Sequence, residues 1–107
     1  MKIARLGVVL LLSSPLVLGA LPAFGEEKSG EAMFKQFCAV CHPDGGNIVN
    51  PAKTLHKKDR DANNVKTAAD IMNKMRNPGP GMTKFDTKTL PDKEAKEIAE
   101  FVLKTFK

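Results

Sequence analysis

The sequence of 107 residues carries 17 Lys and Arg against 12 Asp and Glu, a formal net charge of +5, and contains neither Trp nor Tyr. This length corresponds to one small domain. Because the chain has no long basic tract and few aromatic residues, its composition is not that of a nucleic-acid-binding protein.

The first 25 residues have the pattern of a cleavable export signal. Lys2 and Arg5 form a short positive start, an apolar run covers residues 6–20, and Ala23 and Gly25 stand at the small-residue positions that precede a cleavage site. We expect cleavage after Gly25, with cleavage after Ala23 as the second choice. An uncleaved N-terminal anchor is the alternative, although the apolar run is short for a membrane span.

The motif Cys38-Ala39-Val40-Cys41-His42 contains both cysteines of the chain. A C-x-x-C-H arrangement is the attachment site of covalently bound haem, because two thiols at this spacing can each form a thioether with one vinyl group of the same porphyrin. The adjacent histidine is then placed to bind the iron. This segment is predicted to attach a haem c and to provide one of its two axial ligands.

Three other interpretations of the cysteines are open at this point. A thioredoxin-like dithiol favours a βαβ context and does not require the histidine. A structural zinc site needs four ligands, and only His56 remains as an obvious further candidate. A disulfide between cysteines so close in sequence would close a loop too small to stabilise much. Haem attachment is favoured over all three.

Cleavage of the signal leaves a mature domain of residues 26–107 with a net charge of +3, since 15 of the 17 basic residues remain against 12 acidic ones. A domain of this size buries only about two-thirds of its unfolded surface. A haem at the centre would add a large apolar plate to the core, so we expect the apoprotein to be largely unfolded. Bacterial c-type haem is attached outside the cytoplasmic membrane, so the signal and the motif together predict a periplasmic protein.

Helical periodicity predicts an all-α domain of four helices. The first is capped by Ser29 and continues to Pro43, with both cysteines on its buried face at the C-terminal end. The second covers residues 53–61 and, being rich in charged side chains, is expected to lie on the surface.

The third predicted helix opens with Thr67 and Asp70, a variant of the capping box, and ends at Asn77 before Pro78. A Pro- and Gly-rich loop of residues 77–91 follows. The last helix begins near Pro91 or Asp92 and has the clearest helical period, with apolar residues at Ala95, Ile98, Ala99, Val102 and Phe106.

The second axial ligand of the haem is expected to be a methionine, and the mature chain has four: Met33, Met72, Met75 and Met82. The first three lie on predicted helices, where methionine serves as an adaptable apolar filler. Met82 stands in the loop, where helical packing does not explain it, and is predicted to reach the iron opposite His42. His56 is the rival, but it lies among lysines and is interpreted as a surface residue.

The C-x-x-C-H motif near the start of the mature chain, a methionine loop some forty residues later and a final amphipathic helix resemble a small class I cytochrome c. Within that class the chain is similar to the cytochrome c6 group over residues 28–107. The resemblance implies the class I fold, about four short helices around one covalently attached haem. The matching residues of the helix crossing are Gly30 and Phe34 on the first helix, with Ile98 and Phe101 on the last.

The same resemblance matches Cys38, Cys41 and His42 to the haem-binding residues and Met82 to the axial methionine. By analogy, a backbone carbonyl near Pro51 is expected to accept the Nδ1 proton of His42. Phe85 is expected to shield the methionine ligand from water. Arg76 is expected either to reach a haem propionate or to lie in solvent.

The resemblance implies a soluble, monomeric electron carrier that cycles between Fe(II) and Fe(III), is not an enzyme, and exchanges electrons with donor and acceptor proteins. The alternative is a haem sensor or peroxidase-like protein with an open or labile sixth position. A basic rim for acidic partners is suggested by Lys53, Lys57, Lys58 and Lys84, although these lysines also fit an ordinary solvated surface. The pathway is left open.

Overall fold

The computed structural model describes residues 29–107, together with Gly7 and Pro15; the predicted signal otherwise lies outside the described residues. Within the described residues there is no strand, which confirms the all-α prediction. None of the helices described is long and apolar enough to cross a membrane. The helical elements are α1 (Gly30–Phe37), a 3-10 turn (Pro43–Gly45), α2 (Lys57–Ala62), α3 (Ala68–Arg76) and α4 (Asp92–Thr105).

Helices α1 and α4 cross closely at Gly30. A Cβ on Gly30 would lie 2.3 Å from the carbonyl oxygen of Glu97, so this crossing requires the absence of a side chain. One turn later, the ring of Phe34 packs against that of Phe101 with centroids 5.3 Å apart. The predicted pairing of the first and last helices is confirmed.

The core lies between α1, α3 and α4. Its buried apolar residues are Met33, Phe34, Ile71, Met75, Leu90, Ala95, Ile98, Ala99 and Val102. The four from α4 are the positions that the periodicity predicted, while Phe106 lies beyond the helix end and is only partly buried. Full burial of a side chain such as Ile98 contributes about 1.5–3 kcal/mol, so α4 is a main source of stability.

The predicted capping box at the start of α3 is present. The Thr67 hydroxyl accepts from the Asp70 N–H at 3.1 Å, and Asp70 Oδ2 accepts from the N–H groups of Lys66 and Thr67 at 2.9 and 3.0 Å. These bonds hold the pKa of Asp70 below its ordinary value. The helix ends at Arg76, one residue before Asn77, as expected from the proline that follows.

The prediction that α1 continues through both cysteines is wrong. The helix ends at Phe37, and the carbonyl of Phe34 accepts from the N–H groups of both Cys38 and Ala39, at 2.8 and 2.9 Å, which closes the last turn. A separate turn then forms, in which the His42 N–H donates to the Cys38 carbonyl at 2.9 Å. The haem motif therefore lies on a turn between the helix and the 3-10 segment.

The second helix is shorter than predicted and not entirely at the surface. It covers Lys57–Ala62, and Arg60 within it is only 5% exposed. The many charged residues of this segment predicted an exposed helix, but the Arg60 guanidinium points inward. It donates to two backbone carbonyls, those of Leu55 at 2.7 Å and Phe106 at 2.9 Å.

Candidate haem site

An open cavity of about 270 Å³ lies between the haem-motif turn, the loop that follows it, α3 and the methionine loop. Its lining brings together four of the predicted site residues, listed as Cys38, Cys41, His42 and Met82. His56, the rival ligand, lies outside this lining and packs edge-on against the ring of Phe106, with centroids 5.8 Å apart. Apolar walls come from Phe34, Phe37, Leu55, Val65, Ile71, Met75 and Phe85.

The imidazole of His42 is held by a hydrogen bond between its Nδ1 and the carbonyl oxygen of Gly46, at 2.7 Å. The expectation of a carbonyl near Pro51 is therefore corrected. The 3-10 turn folds the chain back beneath the ring, since the Gly46 N–H donates to the Pro43 carbonyl at 2.9 Å, and Gly46 is thus the nearest carbonyl. Because this bond requires the proton on Nδ1, it leaves the lone pair of Nε2 for a metal.

That turn depends on left-handed backbone at two consecutive residues, Asp44 with φ 53° and Gly45 with φ 78°. A Cβ on Gly45 would also lie 2.4 Å from Cδ1 of Phe106. The left-handed backbone at residue 45 and the nearby ring of Phe106 both favour glycine at this position. Phe106 thus packs directly against the segment that orients His42.

Both cysteine thiols are free and partly buried. Burial raises the pKa of the Cys38 thiol from 9.0 to about 11. A dithiol redox site needs a thiol whose pKa is lowered, because the thiolate is the reactive form. The environment of Cys38 therefore does not favour the thioredoxin-like interpretation.

Met82 is partly buried in the loop that forms the opposite wall. The preceding Gly81 has φ 87°, and a Cβ there would lie 2.8 Å from Cγ1 of Val49, so the two loops pack tightly at this point. Phe85 lines the cavity and contacts Phe37 edge-on, with centroids 6.1 Å apart, in keeping with its expected shielding role. Of the other methionines, Met75 is buried, as expected for a residue that packs between helices. It also lines the cavity, which was not expected.

The charged side chains of the lining are all cationic: Lys53, Arg60 and Lys74, with no Asp or Glu among the described lining residues. Arg60 was not expected at the site, and the only signal for it was its position between the apolar residues Leu55 and Val65. Arg76, for which a propionate contact or solvent was expected, is mostly buried, with its side chain 19% exposed. It donates to the Phe85 carbonyl at 3.1 Å and to the Asp92 carboxylate at 2.8 Å, outside the lining.

These groups fit a haem c. Imidazole nitrogen and thioether sulfur are suitable axial ligands of haem iron, and two thiols are present for the vinyl groups. The apolar walls suit the porphyrin plate, and the excess of cations suits two propionate carboxylates. With Cys38, Cys41, His42 and Met82 facing one space, the donor set matches both the attachment and the ligation of that cofactor.

Comparison with known proteins agrees with this fit. Residues 20–102 match the family model described as cytochrome c oxidase, cbb3-type, subunit III. The chain is 36% identical to cytochrome c6 of Cyanidium caldarium over 74 residues, which are 69% of this chain and 66% of that protein. It is 37% identical to cytochrome c6 of Rippkaea orientalis over 79 residues, covering 74% of this chain and 70% of that protein.

Among solved structures, the chain is similar to OmcF, an outer membrane cytochrome of Geobacter sulfurreducens. The identity is 43% and the TM-score 0.72, over 74% of this chain and 100% of that one. Fold, site chemistry and relatives agree, and the chain belongs to the electron-transferring c-type cytochromes, in the cytochrome c6 group, with a covalently bound haem c.

Proposed function

We propose that this protein is an exported monohaem electron carrier in which Cys38 and Cys41 hold the haem by thioethers and His42 and Met82 are its axial ligands. The observation that supports this assignment is that these four side chains line the same cavity while His56 does not. The second support is the Nδ1 hydrogen bond of His42, which leaves Nε2 as the coordinating nitrogen.

The haem, when bound, supplies a one-electron Fe(II)/Fe(III) couple. The residues of the chain determine how that couple behaves. The bond from His42 to the Gly46 carbonyl fixes the ring orientation and raises the basicity of the ligand. A neutral thioether from Met82 raises the reduction potential relative to a second histidine.

The surrounding wall keeps the site dry and balances its charge. Phe37 and Phe85 pack against each other and line the cavity. With a haem bound, such apolar walls would exclude water, so that little solvent reorganises when the charge of the site changes. Arg60, buried and without a carboxylate partner in any ion pair of the described residues, is the strongest candidate to hold a propionate. A buried guanidinium without an anionic partner lowers stability, and a haem propionate beside it would reduce this cost.

With both axial positions filled by protein, the site has no place for a substrate, so the proposed role is that of a carrier and not of an enzyme. Electron exchange is then proposed to take place with partner proteins at the open side of the cavity, where the lining residues Val40 and Val49 are 75% and 55% exposed. The exposed Lys53, Lys57, Lys58 and Lys84 are proposed to steer acidic partners. Electron-transfer rates with an acidic partner that do not fall as salt is added would contradict this steering.

The proposed location is the periplasm, after removal of residues 1–25, with the mature protein a monomer that is not embedded in the membrane. The relative OmcF carries a name that assigns it to the outer membrane, so location needs a direct test. Cell fractionation with N-terminal sequencing is expected to find the protein in the periplasmic fraction, starting at Glu26 or, by the second cleavage choice, at Phe24. Recovery in a membrane fraction with an intact N-terminus contradicts the proposal.

A potentiometric titration of the holoprotein tests the carrier function. We expect one reversible one-electron wave and no carbon monoxide binding to the reduced wild type unless a protein ligand is displaced. Met82→Ala should lower the potential and open the site to carbon monoxide, whereas Met72→Leu should leave both unchanged. A wild-type protein that binds carbon monoxide at an open position supports the sensor or peroxidase-like alternative instead.

A further inference from the structure

The backbone of Phe85, three residues after Met82, is hydrogen-bonded on both sides. Its N–H donates to the carbonyl of Met75 at 2.8 Å, and its carbonyl accepts from Nη1 of Arg76 at 3.1 Å. Met75 and Arg76 are the last two residues of α3. The end of this helix therefore holds one residue of the methionine loop from two directions.

Arg76 also reaches a third element. Its Nη2 donates to Oδ1 of Asp92, in the first turn of α4, at 2.8 Å. The side chain of Arg76 is 19% exposed, whereas that of Asp92 is 78% exposed. An ion pair with so exposed a carboxylate contributes little, so the bond from the charged donor to the less exposed Phe85 carbonyl should be the stronger of the two.

The part of the loop around Met82 has weaker attachments. The Met82 N–H donates to the Gly79 carbonyl at 3.4 Å, a long bond within the loop itself. Gly81 packs closely against Val49, where a Cβ would lie 2.8 Å from Cγ1. Phe85 is thus the point at which hydrogen bonds join the C-terminal side of the loop to the helical core.

We propose that Arg76 is a positioning residue that clamps Phe85 and thereby keeps the Met82 thioether in its axial position. This inference rests on the proposed ligation by Met82. With a haem bound, an external nitrogen base could replace the thioether on ferric iron: a sulfur–iron bond would break and a nitrogen–iron bond would form, with no change of oxidation state. Replacement requires the loop to move away, and the bond from Arg76 to the Phe85 carbonyl resists that movement.

Stopped-flow mixing of the ferric holoprotein with imidazole tests the clamp. The readout is the rate at which the weak far-red sulfur-to-iron band disappears. Arg76→Met should accelerate the exchange by about tenfold to a hundredfold, the range expected for one lost hydrogen bond from a charged donor. Asp92→Asn should change the rate less than about threefold, because only the exposed ion pair is lost.

Two further variants distinguish the effect of the Arg76 hydrogen bond from the effect of removing a positive charge. Lys96→Met removes one positive charge from the exposed ion pair of Lys96 with Glu100 on α4 and should exchange at the wild-type rate. Arg76→Lys keeps the charge but loses the forked donor geometry, and should lie between Arg76→Met and the wild type.

The outcomes are distinguishable. A far-red band in the wild type with wild-type exchange in Arg76→Met overturns the clamp and leaves the ligation standing. Absence of the band from the wild type overturns the ligation itself and the clamp with it. If Arg76→Met does not fold, the milder Arg76→Lys variant decides: the clamp requires faster imidazole exchange in Arg76→Lys than in the wild type, and exchange at the wild-type rate overturns it.

Discussion

Arg60 donates a hydrogen bond from Nη2 to the carbonyl oxygen of Phe106 at 2.9 Å, across 46 residues of sequence. The same guanidinium donates from Nε to the Leu55 carbonyl at 2.7 Å and lines the haem cavity. The ring of Phe106 packs on Phe34, with centroids 5.4 Å apart. One buried side chain therefore connects the cavity wall, the loop after the haem motif and the C-terminal end of the chain.

Arg60→Met is expected to destabilise the holoprotein by about 2–4 kcal/mol, because two hydrogen bonds from a charged donor are lost at a buried position. The reduction potential should also fall, since removing a cation from the wall favours the ferric state, which carries one more positive charge. Denaturant unfolding and potentiometry measure the two effects. The exposed neighbour serves as control: Lys58→Met should change the free energy of unfolding by less than about 0.5 kcal/mol. Equal behaviour of both variants contradicts the assigned role of Arg60.

Gly30→Ala is expected to destabilise the protein by about 1–3 kcal/mol, the usual cost of overpacking. The added Cβ would approach the Glu97 carbonyl oxygen to 2.3 Å, and that atom is backbone that cannot rotate away. Gly79→Ala is the matched control, because a Cβ there meets nothing within 4 Å. In thermal unfolding, Gly30→Ala should have a lower Tm than the wild type, whereas Gly79→Ala should not. Similar Tm values for the two variants would contradict the close crossing of α1 and α4.

The stability of the protein should decline in acid, with Asp70 as one cause. The N–H groups of Lys66 and Thr67 donate to this carboxylate and hold its pKa below the ordinary value of 3.8. Since the folded-state pKa is the lower one, the stabilisation is present above pH 3.8 and is lost as the pH falls through the folded value. Asp70→Asn should therefore be less stable than the wild type at pH 7, and the difference should shrink in strong acid. A difference that stays constant down to pH 2 contradicts this explanation.

A Cys38→Ser/Cys41→Ser double variant is expected to lack covalent haem and to be largely unfolded. The apolar cavity of so small a domain is then left without the porphyrin that would fill it, and the buried charge of Arg60 is left without the propionate proposed to pair with it. Circular dichroism and a haem stain after denaturing electrophoresis measure the two losses. Native helix content with cooperative melting in the double variant would show that the chain folds without its cofactor.

Local patterns predicted much of this fold. The capping box of Thr67 and Asp70 and the apolar period of α4 depend on neighbours in sequence or on a single helix face, and the sequence displays these directly. The close approach of Gly30 to α4 was expected only from the resemblance to class I cytochromes c. The C-x-x-C-H spacing likewise indicated the cofactor from five residues.

Features set by tertiary contacts were not predictable in the same way. The inward turn of Arg60 depends on the carbonyl of Phe106, which only the folded chain brings near. The acceptor for His42 is Gly46 because Asp44 and Gly45 adopt left-handed backbone, and a periodic pattern does not report such a turn. The role of Arg76 depends on α4 approaching the end of α3, a long-range arrangement that its sequence position does not reveal.

Proton NMR of the ferrous holoprotein tests the central claim, axial ligation by His42 and Met82, most directly. A methionine bound to haem iron lies within the ring current of the porphyrin, so its methyl group should give a three-proton singlet shifted far upfield. We predict one such singlet, lost in Met82→Ala and kept in Met33→Leu, Met72→Leu and Met75→Leu. Absence of an upfield methyl, or its loss in Met75→Leu instead, would contradict the assignment of Met82 as the second ligand.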